Sequence, residues 1–181
     1  MLTKDKLRSK ILFNLRKQKE NQRLEKSRLI KNKLFRLKVF KKAKRIMFYL
    51  AYDGEVETKE MIKEAIKQGK IVAVPVCKVK DKKIIPCKIG PDTKFKKGPY
   101  GIKEPSKMVP LSLKELDLVI VPGVAFDKRG MRLGRGKGYY DYFLQNLSEK
   151  TTTIGLAFDF QIVSCLPTLP HDMPVDRVLF A

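Results

Sequence analysis

Apolar side chains recur at the spacing of an α-helix over the first quarter of the chain. The recurring positions are Leu7, Ile11, Leu12, Leu15, Leu34, Leu37 and Phe40. Residues three or four apart lie on one face of a helix, so this pattern predicts an amphipathic helical segment. No Gly or Pro interrupts it. We therefore predict helix from residue 3 to about residue 43, with a break near Asn21 or Ser27.

Beyond this segment the apolar residues come in short continuous runs, which are typical of strands covered on both faces of a sheet. The predicted strands are 46–52, 71–77, 117–121, 151–158 and 177–181. Helical patterns at 58–69 and 139–146 lie between them. Strands that alternate with helices predict an α/β fold. We expect a three-layer sandwich, with a mainly parallel sheet flanked by helices, that follows the long N-terminal helical segment.

Two further segments are less regular. Residues 79–89 resemble a hairpin that turns at Asp81 to Lys83. The connection 89–110 is rich in Pro and Gly and too long for an ordinary turn, so it is either disordered or a ligand-facing loop that closes over a site. In parallel sheets ligands bind outside the carboxyl ends of the strands. The glycine-rich segment after strand 117–121 lies at such a position.

The chain length and the distribution of charge suggest one domain with a basic N-terminal part. A chain of 181 residues fits one domain on the usual range of ~100–200 residues, so we expect a single domain 1–181, with a basic helical segment 1–45 packed on an α/β core 46–181. The net charge is +21, and residues 1–45 hold 18 Lys/Arg against 3 Asp/Glu. This excess indicates either a polyanionic partner or the lysine-rich surface of a heat-adapted protein.

Cysteine, histidine and hydropathy exclude several classes of protein. The three cysteines are odd in number and lack paired spacing, which favours reduced thiols over a disulfide framework. One histidine, His171, is too few for a clustered zinc site. No apolar core follows the N-terminal charges, and the apolar run 46–52 is far shorter than the ~20 residues that cross a bilayer. We expect a soluble cytoplasmic protein that makes no contact with membranes.

The segment GMRLGRGKGYYDYF, residues 130–143, combines glycines with cations directly before a predicted helix. Its spacing matches neither the P-loop nor the dinucleotide fingerprint. Glycine backbone amides and a helix N-terminus nevertheless attract phosphate, and Arg132, Arg135 and Lys137 add full charges. Asp141, in the first helical turn, is either a dipole-favourable acid or a magnesium ligand beside phosphates. The residues alone leave open a phosphate-binding loop and a flexible basic loop.

The longer stretch VPGVAFDKRGMRLGRGKGYYDYFL, residues 121–144, closely resembles the motif of the 5-formyltetrahydrofolate cyclo-ligase family, also called methenyltetrahydrofolate synthetases. Three other segments resemble the family in the same order: KDKLR at 4–8, YLAYDGEVET at 49–58 and LPHDMPVDRVL at 169–179. The resemblance spans essentially the whole chain. It is weakest at 78–110, where GIKEP at 101–105 is similar to a loop of the family.

The resemblance implies an ATP-dependent ring closure that converts 5-formyltetrahydrofolate to 5,10-methenyltetrahydrofolate and releases ADP and phosphate. The γ-phosphoryl group of ATP moves to the formyl oxygen, N10 attacks the activated carbon, and phosphate departs. Phosphoryl transfer depends mainly on positioning and charge neutralisation. The family therefore needs no histidine or cysteine nucleophile, and its cofactor is Mg²⁺.

The same resemblance implies roles for individual residues. Arg135 and Lys137 would be catalytic, and Asp141 and Asp172 would hold the metal. The ATP-binding residues would be Lys4, Arg8, Arg132, Gly134, Arg135, Gly136, Lys137, Gly138, Tyr139 and Tyr140. The folate-binding residues would be Leu50, Glu55, Arg135, Gly136, Lys137, Gly138 and Tyr139.

Several assignments have an alternative that the sequence leaves open. Leu50 is equally suited to the core, Glu55 to a solvated turn, and Asp176 competes with Asp172 for the metal. His171 fits a structural role better than a metal-binding one. The rivals to the enzyme are a nucleic-acid-binding protein that uses the basic segment and an enzyme of another class with an anion site. We expect a monomer that binds ATP and a reduced folate, which could carry a polyglutamate tail, rather than nucleic acid.

Overall fold

The N-terminal segment of the computed structural model, which describes residues 3–181, is three helices rather than one. They are α1 Lys4–Lys17, α2 Glu20–Arg36 and α3 Lys38–Lys42. The first break falls at Gln18 and Lys19, before the predicted positions Asn21 and Ser27, and a second falls at Leu37. The Gln18 side chain stabilises the first break, because its Nε2 atom donates to the carbonyl of Leu15 in α1 and to that of Gly54 in the turn after β1, at 3.0 Å each.

The remaining regular elements are eleven strands and two α-helices, together with three short 3₁₀ turns. The strands are β1 Arg45–Met47, β2 Ile71–Lys78, β3 Lys83–Ile89, β4 Phe95–Lys97, β5 Lys103–Pro105, β6 Leu118–Val121, β7 Ala125–Asp127, β8 Arg132–Leu133, β9 Thr152–Ala157, β10 Ile162–Val163 and β11 Arg177–Phe180. The helices are α4 Lys59–Lys67 and α5 Tyr139–Gln145, and the 3₁₀ turns are Pro99–Gly101, Leu113–Glu115 and Asp159–Gln161.

The main sheet has six strands in the order β11-β9-β6-β1-β2-β3. Every neighbouring pair is parallel except β2 with β3. The chain moves outward from β1 through β2 and β3 and then crosses back to β6 on the other side of β1. In such sheets the place where the strand order reverses is the usual ligand site. Two small sheets, β10-β7-β8 and β4-β5, complete the molecule.

The sheet is buried on both faces, and alternate residues of a strand point to opposite sides. In β2, Val72 and Val74 belong to the core beneath α1, α2, α3 and α4, whereas Ala73 belongs to the core beneath α5. The predicted α/β class, with helical layers on both sides of a mainly parallel sheet, is confirmed. None of the helices described between residues 3 and 181 is long and apolar enough to span a lipid bilayer.

Three local predictions were wrong in detail. The strand predicted at 46–52 is only β1, because the chain leaves the sheet after Met47 while Phe48 and Tyr49 stay buried. The hairpin is formed by β2 and β3, so its first arm is the strand predicted at 71–77 and not part of 79–89. The connection 89–110 contains the paired strands β4 and β5, so much of it is a hairpin rather than an irregular loop.

Candidate active site

A cavity of about 430 Å³ opens at the carboxyl ends of β1, β2 and β6, where the strand order reverses. Every site residue predicted from the sequence lines it: Lys4, Arg8, Leu50, Glu55, Arg132, Gly134, Arg135, Gly136, Lys137, Gly138, Tyr139, Tyr140, Asp141 and Asp172. Asp176 is not among the lining residues. The structure thus brings the predicted positions together, while their individual roles stay predictions.

The glycine-rich loop between β8 and α5 has a backbone that only glycine adopts easily. Gly136 has a φ of 91° and Gly138 a φ of 73°, both in the left-handed region. A Cβ atom at Gly134 would lie 2.7 Å from a terminal nitrogen of Arg132. The loop therefore passes close to a buried guanidinium, and its glycines are required by its conformation as well as by any ligand.

Arg132 and Asp141 form an ion pair at the base of this loop. The Arg132 Nη2 atom donates to Asp141 Oδ1 at 2.8 Å, and the two side chains are 4% and 17% exposed. Two buried polar atoms beside the pair, Arg132 Nε and the Tyr140 hydroxyl, have no hydrogen-bond partner among the described residues. Burial raises the pKa of Tyr140 far above its usual value, so this hydroxyl stays protonated and can donate.

Arg135 extends from the loop to the turn after β1. Its guanidinium donates to Glu55 Oε1 at 3.1 and 3.2 Å and to Asp53 Oδ2 at 3.0 Å. Burial raises the pKa of Glu55, although Arg135 pulls it in the opposite direction. A hydrogen bond from Arg16, with a second from Arg135, holds the pKa of Asp53 below its ordinary value. Arg135 is therefore paired with two carboxylates and keeps one Nη1 N–H without a partner among the described residues.

Helix α1 reaches the cavity through Lys4 and Arg8. Lys4 forms an ion pair with Asp172, and Arg8 donates to the Gly134 carbonyl at 2.9 Å. Burial alone would raise the pKa of Asp172, but the Lys4 ammonium and the Leu169 amide leave it below its ordinary value. The loop, α1 and the segment before β11 therefore meet at one place.

Asp176, the rival metal ligand, has a different task. Its carboxylate accepts from the amide and the hydroxyl of Thr153, at 2.7 and 2.8 Å, and so fastens the segment before β11 to β9. Because Asp172 lines the cavity and Asp176 does not, the geometry favours Asp172 as the acid that faces a ligand.

The sequence offered 89–110 as a ligand-facing loop, but sequence reasoning named none of the residues in the wall that the β4–β5 hairpin contributes. The Tyr100 and Tyr139 hydroxyls lie 3.3 Å apart, and this hydrogen bond raises the pKa of Tyr139 to about 12. Glu104, from β5, is also buried and lines the cavity. The GIKEP segment was the available signal, but its hairpin pairing could not be predicted from the weak local pattern.

Comparison with known proteins identifies the family. The model of the 5-formyltetrahydrofolate cyclo-ligase family matches residues 1–181. The chain is 36% identical to 5-formyltetrahydrofolate cyclo-ligase of Mus musculus, over 96% of this chain and 91% of the relative. It is 41% identical to the Haemophilus influenzae enzyme of the same name, over 77% of this chain and 76% of the relative.

A solved structure agrees with the sequence comparisons. The Aquifex aeolicus 5,10-methenyltetrahydrofolate synthetase superposes with a TM-score of 0.87 at 34% identity, over 99% of this chain and 90% of that one. The superposition extends over nearly the full length of this chain. This chain belongs to the 5-formyltetrahydrofolate cyclo-ligase family.

Proposed function

We propose that this chain converts 5-formyltetrahydrofolate to 5,10-methenyltetrahydrofolate, consumes ATP, and releases ADP and phosphate. The family match over residues 1–181 is the observation that carries the proposal. The cavity supports it independently, because cations from α1 and from the glycine-rich loop converge on one end of a pocket whose other walls carry apolar and acidic side chains.

The cationic end is suited to the phosphates of ATP. Backbone amides of the glycine-rich loop, together with Lys4 and Arg8 from α1, would surround them, since glycine allows amides to approach an anion closely. Lys137 makes no ion pair with any residue of 3–181. Its side chain is exposed beside the cavity, so it is the cation best able to reach the transferred phosphoryl group.

The folate would occupy the end of the cavity beneath the turn after β1. Leu50 offers an apolar contact, and Tyr139 lies between this end and the loop. Arg135 joins the two ends, because it holds Glu55 while its own backbone belongs to the glycine-rich loop. We assign Arg135 the task of aligning the folate with the triphosphate.

Ring closure proceeds in two steps where the folate meets the triphosphate. The formyl oxygen attacks the γ-phosphorus and ADP departs, which converts a poor leaving group into a good one. N10 then attacks the activated carbon, loses its proton, and expels phosphate. Lys137 and Arg135 balance the negative charge on the transferred group, and charge neutralisation is the main demand of phosphoryl transfer.

The residues present fit a magnesium ion bound with the nucleotide. Asp141 and Asp172 both line the cavity, and Mg²⁺ commonly takes one or two carboxylates together with phosphate oxygens. Within residues 3–181 no group of three or more His, Cys, Asp or Glu could hold a metal without other ligands. An ion held there would neutralise phosphate charge, while Arg132 and Lys4 keep the two carboxylates in place.

Other properties of the chain are proposed on weaker support. We propose a monomer that acts in the reducing cytoplasm as a single domain, since all assigned site residues lie in one chain and its three cysteines are free thiols. Helices α1, α2 and α3 share their core with the sheet. The net charge of +21 would also attract the carboxylates of a polyglutamate tail.

Product formation measured with and without ATP tests the function. Purified protein, 5-formyltetrahydrofolate and Mg²⁺ should give the near-ultraviolet absorbance of the methenyl product only when ATP is present, with one ADP released per product. Product without ATP, or ADP without product, would overturn the proposal. A nucleic-acid-binding protein would instead show salt-dependent RNA affinity that disappears when residues 1–45 are removed.

A further inference from the structure

Glu104 is a buried carboxylate that the reaction as described does not use. The residue is 7% exposed, it belongs to β5, and it lines the cavity. No Lys, Arg or His among residues 3–181 forms an ion pair with it. Carboxylates are rarely buried without a cation unless something else satisfies them, so its environment requires an explanation.

One oxygen of Glu104 is occupied and the other is available. The Cys77 amide donates to Oε1 at 2.8 Å, which anchors β5 to the end of β2. A Cβ atom at Gly98 would lie 2.8 Å from Oε2, so the glycine leaves just enough room for the carboxylate. No donor in the described part of the chain reaches Oε2. The side chain is thus held in place with an unused acceptor beside the cavity.

Glu55, the other acid at this end, has less capacity to accept a further hydrogen bond. Its Oε1 accepts from two Arg135 nitrogens, and its Oε2 accepts from the Tyr52 amide at 3.1 Å. Both oxygens of Glu55 therefore already have protein donors, whereas Glu104 retains a free one. Of the two acids, Glu104 is the one better able to accept a new hydrogen bond from a ligand.

The position of Glu104 indicates which ligand it contacts. Cys77 lies near the end of β2, on one side of β1, whereas β6 and the segment leading to the glycine-rich loop lie on the other side. A triphosphate would be repelled by a carboxylate that, unlike Asp141 and Asp172, has no cation paired with it. The reduced pterin ring of the folate, in contrast, carries an exocyclic amino group and adjacent ring N–H groups, all of which are donors.

We propose that Glu104 is a specificity-determining residue that accepts hydrogen bonds from the amino group and neighbouring ring N–H of the pterin. This inference rests on the proposed function, since it requires a folate in the cavity. A site built to accept from a ligand donor rejects an analogue that lacks the donor, because its own polar group then stays unpaired. Glu104 would thereby select pteridine rings that carry the 2-amino group over rings that lack it.

The test compares Glu104→Gln with the wild type on two folates. The first is 5-formyltetrahydrofolate, and the second is an analogue in which methyl replaces the 2-amino group. Glutamine keeps an oxygen for the Cys77 amide but removes the charge and one acceptor. Asp92→Asn is the matched control, because it removes one charge from an exposed residue of the same connection. Affinities are measured by calorimetry without ATP, and KM for ATP is measured separately.

We expect Glu104→Gln to weaken binding of the natural folate by roughly 10- to 100-fold, the range for a hydrogen bond to a charged group. The same substitution should change the affinity for the analogue and the KM for ATP by less than about threefold. An equal loss of affinity for both folates would mean that Glu104 only stabilises the hairpin, and would overturn the proposal. An unchanged affinity for both folates would overturn it as well. Wild type that binds folate but never turns it over would overturn the proposed function alone.

Discussion

Lys137→Ala should remove most of the activity while leaving the fold intact. The side chain is exposed, and the one contact described for its ammonium group is the Tyr100 ring, at 5.8 Å. An exposed cation–π contact contributes about 0.5–1 kcal/mol, so the free energy of unfolding should change by no more than that. A cation about 4 Å from a phosphate oxygen, at an effective dielectric constant of about 20, contributes up to ~4 kcal/mol.

That electrostatic contribution determines the expected loss of rate. Since ~1.36 kcal/mol corresponds to a factor of ten, and solvent screens part of the charge, kcat/KM should fall by about 30- to 1000-fold. Product absorbance gives the rate and thermal unfolding gives the stability. Lys128→Ala is the control, because it removes an exposed lysine from the turn before the loop. Activity of Lys137→Ala within threefold of wild type, or an equal loss in the control, would refute this role.

Three further outcomes can be measured. Gly54→Ala should lower Tm by about 2–8 °C, since left-handed strain of about 1–2 kcal/mol corresponds to ~2–4 °C per kcal/mol in a chain of this size. Its Cβ would also lie 2.2 Å from the Leu15 carbonyl oxygen, whereas Gly69→Ala has nothing within 4 Å and should lose less. Cys77, whose pKa burial raises to about 11, should be alkylated more slowly than the exposed Cys165 in peptide-resolved labelling at pH 8. Because the pKa of Asp53 is lowered in the fold, its ionised carboxylate stabilises the folded state above pH 3.8, and this stabilisation is lost as the pH falls through the folded-state pKa. Asp53→Asn should therefore flatten that part of a plot of the free energy of unfolding against pH.

Periodicity was sufficient to predict the layers of this fold but not the ends of its elements. The apolar run 46–52 predicted one strand because all its residues are hydrophobic, yet only Arg45–Met47 pairs with neighbours. Tyr49 is buried for another reason, since its hydroxyl donates to the Val56 carbonyl and its own carbonyl accepts from Thr58. Burial by a turn and burial by a sheet leave the same pattern in the sequence.

The site was predictable where a long motif carries it and unpredictable where distant segments meet. Residues 132–141 form a continuous stretch, so the resemblance could assign them together. Glu104 could not be assigned, because its position depends on the pairing of β4 with β5 and on the Cys77 amide 27 positions earlier. Likewise, the sequence could not decide between Asp172 and Asp176, because it does not show that Thr153 donates to Asp176.

The contacts of α1 also explain part of the basic charge that first suggested a nucleic-acid partner. Lys4, Arg8 and Arg16 point from this helix to Asp172, the Gly134 carbonyl and Asp53 respectively. Arg16 and Arg135 both donate to the Oδ2 atom of Asp53. Phosphates that draw Arg135 toward them would therefore leave Asp53 to Arg16, and α1 would remain attached to the turn after β1. Lys4 and Arg8 thus contact the cavity, Arg16 fastens α1 to the turn after β1, and Arg23 and Lys26 pair with acids of the chain, so these cations have partners without any nucleic acid.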